Sequence, residues 1–248
     1  MNPSDELVPV LKKLRLSGVL QSLDIRLGQA LDGDLGHIEF LLRLLTDEVE
    51  RREGKQVQLR VSRASFEHAR TVEDFDFRFN PKLPKSRILD LCTCAFMATY
   101  TNILLVGPTG VGKSHIAQAI GHRACLAGRR VLYVTAQRML STLRAARADG
   151  TYDRQLLKFT SPELLIVDDL GLRPLQHDEP DDLYEIISRR YERASTIITS
   201  NRDIPEWHPL FGDNLLASAA MDRLLHHSHV LVLDGKSYRT SQDRERSP

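Results

Sequence analysis

The stretch ILLVGPTGVGKSHIAQAIG, Ile103 to Gly121, decides the fold. Four apolar residues read as a buried strand, a glycine-bearing loop follows, and an amphipathic helix begins at once. Gly107 to Ser114 fits the pattern G-x-x-x-x-G-K-[ST]. Glycines let the backbone curl until successive N–H groups face one point, and the helix N-terminus adds its partial positive charge there. A polyphosphate is the ligand that suits such a cradle. The candidate phosphate-binding residues are Gly107, Pro108, Thr109, Gly110, Val111, Gly112, Lys113, Ser114 and His115. Lys113 is placed to bridge the β- and γ-phosphates, and the Ser114 hydroxyl to ligate Mg²⁺. An ordinary turn between strand and helix would not need this order of residues.

Working outward, four more short apolar runs alternate with helical stretches: VLYV (131–134), LLIV (164–167), TIIT (196–199) and VLVL (230–233). Near-continuous apolar strands separated by helices predict an α/β fold, a five-stranded parallel sheet flanked by helices. The second half of a triphosphate site should be a carboxylate ending another buried strand. LLIVDDLG, 164–171, supplies it. Asp168 is expected to hold Mg²⁺ and Asp169 to orient and deprotonate an attacking water. A second acid favours hydrolysis over phosphoryl transfer to a small substrate; two exposed turn aspartates are the plainer alternative. A further strand ends in Thr199, Ser200 and Asn201. If it lies between the other two, Asn201 is expected to reach the γ-phosphate and the water from the side.

Before this region the chain reads differently. Leu7, Leu11 and Leu14 suggest one helix, and Ile38, Leu41, Leu42, Leu45 and Val49 share one face of another. The expected organisation is a helical N-terminal domain over 1–70, a linker and the start of the core over 71–100, the nucleotide-binding domain over 101–239, and a polar disordered tail over 240–248. Phe75, Phe77 and Phe79 alternate in the linker, as core packing, a cover for the base or a contact with a neighbouring copy. The 34 basic residues nearly cancel the 33 acidic ones, so any nucleic-acid contact must come from local patches. Cys92, Cys94 and Cys125 are too few and too badly spaced for a disulfide framework or a four-ligand zinc site. No apolar run approaches a membrane span, and the N-terminus lacks a signal peptide's apolar stretch. A reduced cytoplasmic protein, with no membrane partner, is expected.

The three nucleotide-site elements in this order resemble the AAA+ class of P-loop ATPases. More narrowly, the chain resembles the IstB-like ATP-binding protein family, the helpers of insertion-sequence transposition, which is related to the DnaC helicase loader. The resemblance lies in EFLLRLLTDEVERR (39–52), TVEDFDF (71–77), the loop stretch above, LLIVDDLG, ISRRYERASTIITSN (187–201) and MDRLLHHSHVLVLDGKSYR (221–239). It implies ATP with Mg²⁺, ATP-dependent assembly of identical copies into a ring or spiral on double-stranded DNA, and recruitment and stimulation of an IstA-like transposase at a target site. In the family pattern the second acid is often glutamate, so Asp169 implies slow hydrolysis. The resemblance also implies that Arg223 reaches a neighbouring subunit's γ-phosphate. Only a short segment follows Gly235, so the helical lid of many AAA+ proteins is expected to be absent or vestigial, with Arg239 the sole sensor candidate. His226, His227 and His229 suit the end of the helix that carries Arg223; a metal site there lacks further ligands close by in sequence.

Arg138, Arg144, Arg147, Arg154 and Lys158 lie between the second and third strands. They are the candidate DNA contacts, with a solvated helix face as the alternative. Nothing in the chain reads base edges, so binding with little sequence preference is expected. Two other readings stay open: a helicase loader that prefers single strands, and a nucleotide-gated binding module with negligible hydrolysis.

Overall fold

The computed structural model describes residues 3–33, 35–68 and 70–238, with side chains from residue 6 onward. The expectations for Arg239 and for 240–248 lie outside the described residues. The chain divides into two compact units, Met1–Leu59 and Arg60–Pro248. The division falls inside the third helix.

The first unit contains α1 (Pro3–Lys13), α2 (Ser17–Leu31) and most of α3 (His37–Arg63). Leu11, Val19, Leu23 and Leu44 form its buried cluster. A β-carbon on Gly18 would collide with the α3 backbone at Asp47 and Glu48. The two helices therefore meet closely there, and Glu48 Oε2 accepts the Gly18 and Val19 amides that begin α2. A buried carboxylate thus satisfies helix-start donors that have no intrahelical partner. The apolar stripe lies on α3 as expected, but it is not the face that packs. Leu44 and Glu48 are buried, whereas Ile38, Leu41, Leu42, Leu45 and Val49 are exposed. The apolar periodicity is genuine, but α2 docks where Gly18 permits contact.

In the second unit, β1 (Asn102–Val106), β2 (Val131–Thr135), β3 (Leu164–Leu170), β4 (Ser195–Ser200) and β5 (Ser228–Val232) form one parallel sheet. Its order is β2-β3-β4-β1-β5, so β4 lies between β1 and β3. Both faces are covered, which is why the strands read as unbroken apolar runs. Alternate side chains point opposite ways. Ile103 and Leu105 join the face packed by Ile116 and Ile120 of α5 (Lys113–Leu126). Leu104 and Val106 join the other face. That face is covered by α6 (Ala136–Ala148), α7 (Tyr152–Thr160), α8 (Glu179–Arg190) and α9 (Asn214–His226). Trp207 and Cys125 are buried.

Residues 71–84 form turns rather than helix or strand. They nonetheless belong to the second unit's packing: Phe75 and Phe77 lie against the α5-side cluster, and Asn80 Nδ2 donates to the Asp234 carbonyl at 2.6 Å. The segment continues into α4 (Lys85–Leu91) and a short 3-10 turn, Ala95–Thr99. Arg190 is buried and donates to the carbonyls of Phe159 and Thr160 at the end of α7, of Pro162 just beyond it, and of Ser195 at the start of β4. No helix among the described residues is long and apolar enough to cross a membrane.

The Glu48 carboxyl sits below its ordinary value of 4.5: burial would raise it, and the Arg52 guanidinium with the Gly18 and Val19 amides outweighs that effect. The folded value being the lower one, the stabilisation is whole above the unfolded value and is lost as pH falls through the folded value. Glu48→Gln is expected to lower the melting temperature of the full chain at about pH 7, with the gap to wild type closing at an acid pH well below 4.5. Thermal melts at both pH values check this, and a gap independent of pH contradicts it.

Candidate nucleotide site

The candidate loop leaves β1 at Val106 and enters α5 at Lys113, as the sequence predicts. Its first residue is clamped from both sides. The Gly107 amide donates to the Ser200 carbonyl at 3.2 Å, and the Leu233 amide donates to the Val106 carbonyl at 2.8 Å. With φ at 141°, Gly107 adopts a conformation that side chains rarely allow, and a β-carbon there would strike the Leu233 carbonyl oxygen. Gly112, φ 101°, closes the loop beneath the Phe75 ring, where a β-carbon has no room. The buried Lys113 Nζ donates to the Gly107 and Pro108 carbonyls, both at 2.8 Å. Those bonds hold the loop closed around the ammonium group.

Asp168 stands at the end of β3 and is buried. The Tyr133 hydroxyl, from β2, donates to its Oδ2 at 2.6 Å, and the Thr199 hydroxyl, from β4, donates to its Oδ1. Burial, then the neighbouring Asp168 carboxylate, pushes the Tyr133 phenol far above its usual range. It therefore stays protonated and serves as a donor. Past Asp168 the strand pairing slips: β3 advances from Val167 to Leu170 while β4 advances from Ile198 to Ser200. Such a bulge re-aims a side chain. Asp169 takes up the extra residue at φ 57°, and its amide donates to Thr199 Oγ1 at 2.9 Å. A left-handed, non-glycine residue carries a backbone cost that the surroundings must offset.

Thr109 to His115, Asp168 and Asp169 line one cavity of about 740 Å³. That volume suits a nucleotide-sized ligand. Its wall also includes Phe75, Phe79 and Asn80, Gln118 of α5, Leu172, and Tyr238, whose ring meets Phe79 edge-on at 4.9 Å. Ser114 lines the cavity, and its hydroxyl and the Asp168 carboxylate are the oxygen donors that could hold Mg²⁺. His115 also lines it, but its Nε2 is engaged with the Thr71 carbonyl oxygen at 2.9 Å. Burial lowers its basicity, and so it ties the preceding segment to α5 as a neutral ring.

The other predicted residues lie elsewhere. Asn201 is exposed just past β4 and does not line the cavity, although its strand lies between β1 and β3. Thr199, two residues earlier, is the side chain that touches Asp168. Arg223 sits half-buried on α9, hydrogen-bonded to the Tyr184 hydroxyl and 5.0 Å from that ring, outside the cavity of its own chain. Arg144 pairs with the buried Glu179, and Arg147 with the buried Asp182. Arg138, Arg154 and Lys158 are exposed. Tyr133 was missed because VLYV reads as apolar. The one signal was a hydroxyl within an otherwise aliphatic buried strand.

Strand order, loop and buried strand-end aspartate together give a P-loop nucleotide-binding fold of the AAA+ type. Solved structures with this fold include the DnaC helicase loader, at TM-score 0.53 and 22% identity over 60% of this chain and 87% of that one. Another is DnaA from Aquifex aeolicus bound to AMPPCP, at TM-score 0.58 and 20% identity over 73% of this chain and 56% of that one. Residues 9–246 match the IstB-like ATP binding protein family, and the chain belongs to it. Relatives include a protein named for ATP binding in an insertion sequence of Mycobacterium tuberculosis, 43% identical over 92% of each chain. A second is named as an ATP-binding protein of insertion sequence IS21 from Pseudomonas aeruginosa, 36% identical over 97% of this chain and 91% of its own.

Lys113→Ala removes the cation at the loop's centre and the two bonds that hold the loop shut. A loss of ATP affinity of roughly a hundredfold or more is expected, from a lost charge-assisted contact and a loosened cradle. Equilibrium binding of a fluorescent ATP analogue measures it, and unchanged affinity would refute the assignment.

Proposed function

We propose that this protein is an ATP-dependent helper of insertion-sequence transposition. It assembles copy by copy on double-stranded DNA, selects the target site, and recruits and stimulates an IstA-like transposase. Hydrolysis then controls disassembly. The observation that carries this reading is the match, over nearly the full length, to ATP-binding proteins of insertion sequences, together with a built nucleotide site.

Each part of the site has a task in the proposal. The loop amides and Lys113 bind the phosphates, and Ser114 and Asp168 hold Mg²⁺, which when bound neutralises phosphate oxygens. Asp169, re-aimed by the bulge, orients the water and takes its proton. Asn201 would need to turn inward to assist, whereas Thr199 already acts by holding Asp168. Arg223 lies outside its own cavity, which supports action on the neighbouring copy's γ-phosphate. A contact of that kind is head-to-tail, and repetition gives a ring or spiral. For the duplex, Arg138, Arg154 and Lys158 are the first candidates. Arg144 and Arg147 would have to leave buried carboxylates to reach phosphates. Phosphate contacts alone give little sequence preference.

Sedimentation of the protein with duplex or single-stranded DNA, with and without ATP, tests the function. Large complexes requiring both ATP and duplex are expected; a clear single-strand preference would point to a helicase loader instead. Arg223→Ala is expected to keep ATP binding while lowering turnover by about a hundredfold. Mixing it with Asp169→Asn should restore part of the steady-state rate, and no rescue at any ratio would contradict action across an interface.

A further inference from the structure

The histidines after Arg223 gain from the fold what their own stretch lacks. His226 ends α9 and His227 follows it, with ring centroids 4.1 Å apart. Glu192, distant in sequence, stands in the turn between α8 and β4. Each of the three residues offers one ligand atom, and these atoms all lie within 4.8 Å of one another. We propose that Glu192, His226 and His227 form a surface site for a divalent transition-metal ion, with Zn²⁺ the best match. The proposal is independent of the nucleotide site and of the function proposed above.

Both sides of the cluster are held by backbone. The turn is fixed by the Arg193 and Ala194 amides, which each donate to the Arg190 carbonyl at 3.0 Å. Glu192 itself takes φ 54°, a left-handed conformation unusual for glutamate. On the other side, the Asn102 amide donates to the His227 carbonyl at 2.7 Å and anchors that residue to β1. Tyr191 Oη lies 2.8 Å from His226 Nδ1. The same hydroxyl also hydrogen-bonds the Glu192 side chain, so Tyr191 holds two members of the cluster together from behind, as outer partners of metal ligands do.

The chemistry of the donor set selects the ion. Two neutral imidazoles and one carboxylate match the softer divalent ions, and are a poor substitute for the all-oxygen shell of Mg²⁺ or Ca²⁺. Ligand atoms around tetrahedral Zn²⁺ are roughly 3.3 Å apart, given bonds of about 2.0 Å. His227 Nε2 and Glu192 Oε1 lie 3.9 Å apart, so both need only a small shift, which their exposure permits. Water would take the fourth position. The plainer reading is an ion pair, which requires a protonated His227. A bound ion would tie the α8–β4 turn to the end of α9, one helical turn beyond Arg223.

Titration of the full chain with Co²⁺, in excess Mg²⁺ and without nucleotide, tests the site by the visible d–d absorption of the bound ion. One Co²⁺ per chain is expected, displaced by Zn²⁺. Glu192→Gln, His226→Ala and His227→Ala should each weaken binding by more than about tenfold, and Tyr191→Phe by less. His229→Ala should bind as wild type does, since its side chain is not part of the cluster. A thermal melt should rise with Zn²⁺ in wild type and stay unmoved in Glu192→Gln, the least disruptive variant for the fold. Absence of Co²⁺ absorption in wild type, or wild-type affinity in the three ligand variants, would overturn the proposal and leave an ion pair.

Discussion

A buried carboxylate held by two hydroxyls organises this protein. Asp168 accepts hydrogen bonds from Tyr133 of β2 and Thr199 of β4, so three adjacent strands meet at one acidic group. An ionised carboxylate out of water is costly unless hydrogen-bonded. Here both oxygens are satisfied, and the arrangement is fixed before any ligand arrives. The same Thr199 oxygen accepts the Asp169 amide and so also holds the bulge. Disturbing this cluster would therefore move both acids of the site together.

The parallel sheet was legible because strands buried on both faces lose their polar alternation, and each of the five apolar runs falls on a strand. The loop was equally legible, because glycines at fixed spacing followed by Lys113 and Ser114 serve few other purposes. Contacts between distant residues were not legible. Nothing local announces that Tyr133 will meet Asp168, that Asn80 will hold the Asp234 carbonyl, or that Glu192 will stand beside His227. The α3 stripe shows the opposite failure: periodicity identified a helix but not which face is covered, since Gly18 and Glu48 decide that. Asn201 followed from strand order alone, yet β4 ends at Ser200, so Asn201 lies beyond the sheet, where no strand pairing aims its side chain at the cavity.

Helix α8 links the parts of the proposed machine outside the cavity. It presents Glu179 to Arg144 and Arg173, Asp182 to Arg147 and Tyr152, and Tyr184 to Arg223. The candidate DNA arginines on α6 and the candidate finger on α9 therefore share one supporting helix, which follows β3 after the Gly171–Leu175 segment. The Tyr184 contact holds the Arg223 guanidinium on its own chain.

The central claim is that Asp168 and the Gly107–Ser114 loop clamp a triphosphate through Mg²⁺. Calorimetric titration of ATP into the wild type and Asp168→Asn, each with and without Mg²⁺, tests it most directly. The account predicts that Mg²⁺ tightens binding to the wild type and has little effect on the variant. An equal Mg²⁺ effect in both proteins would contradict it.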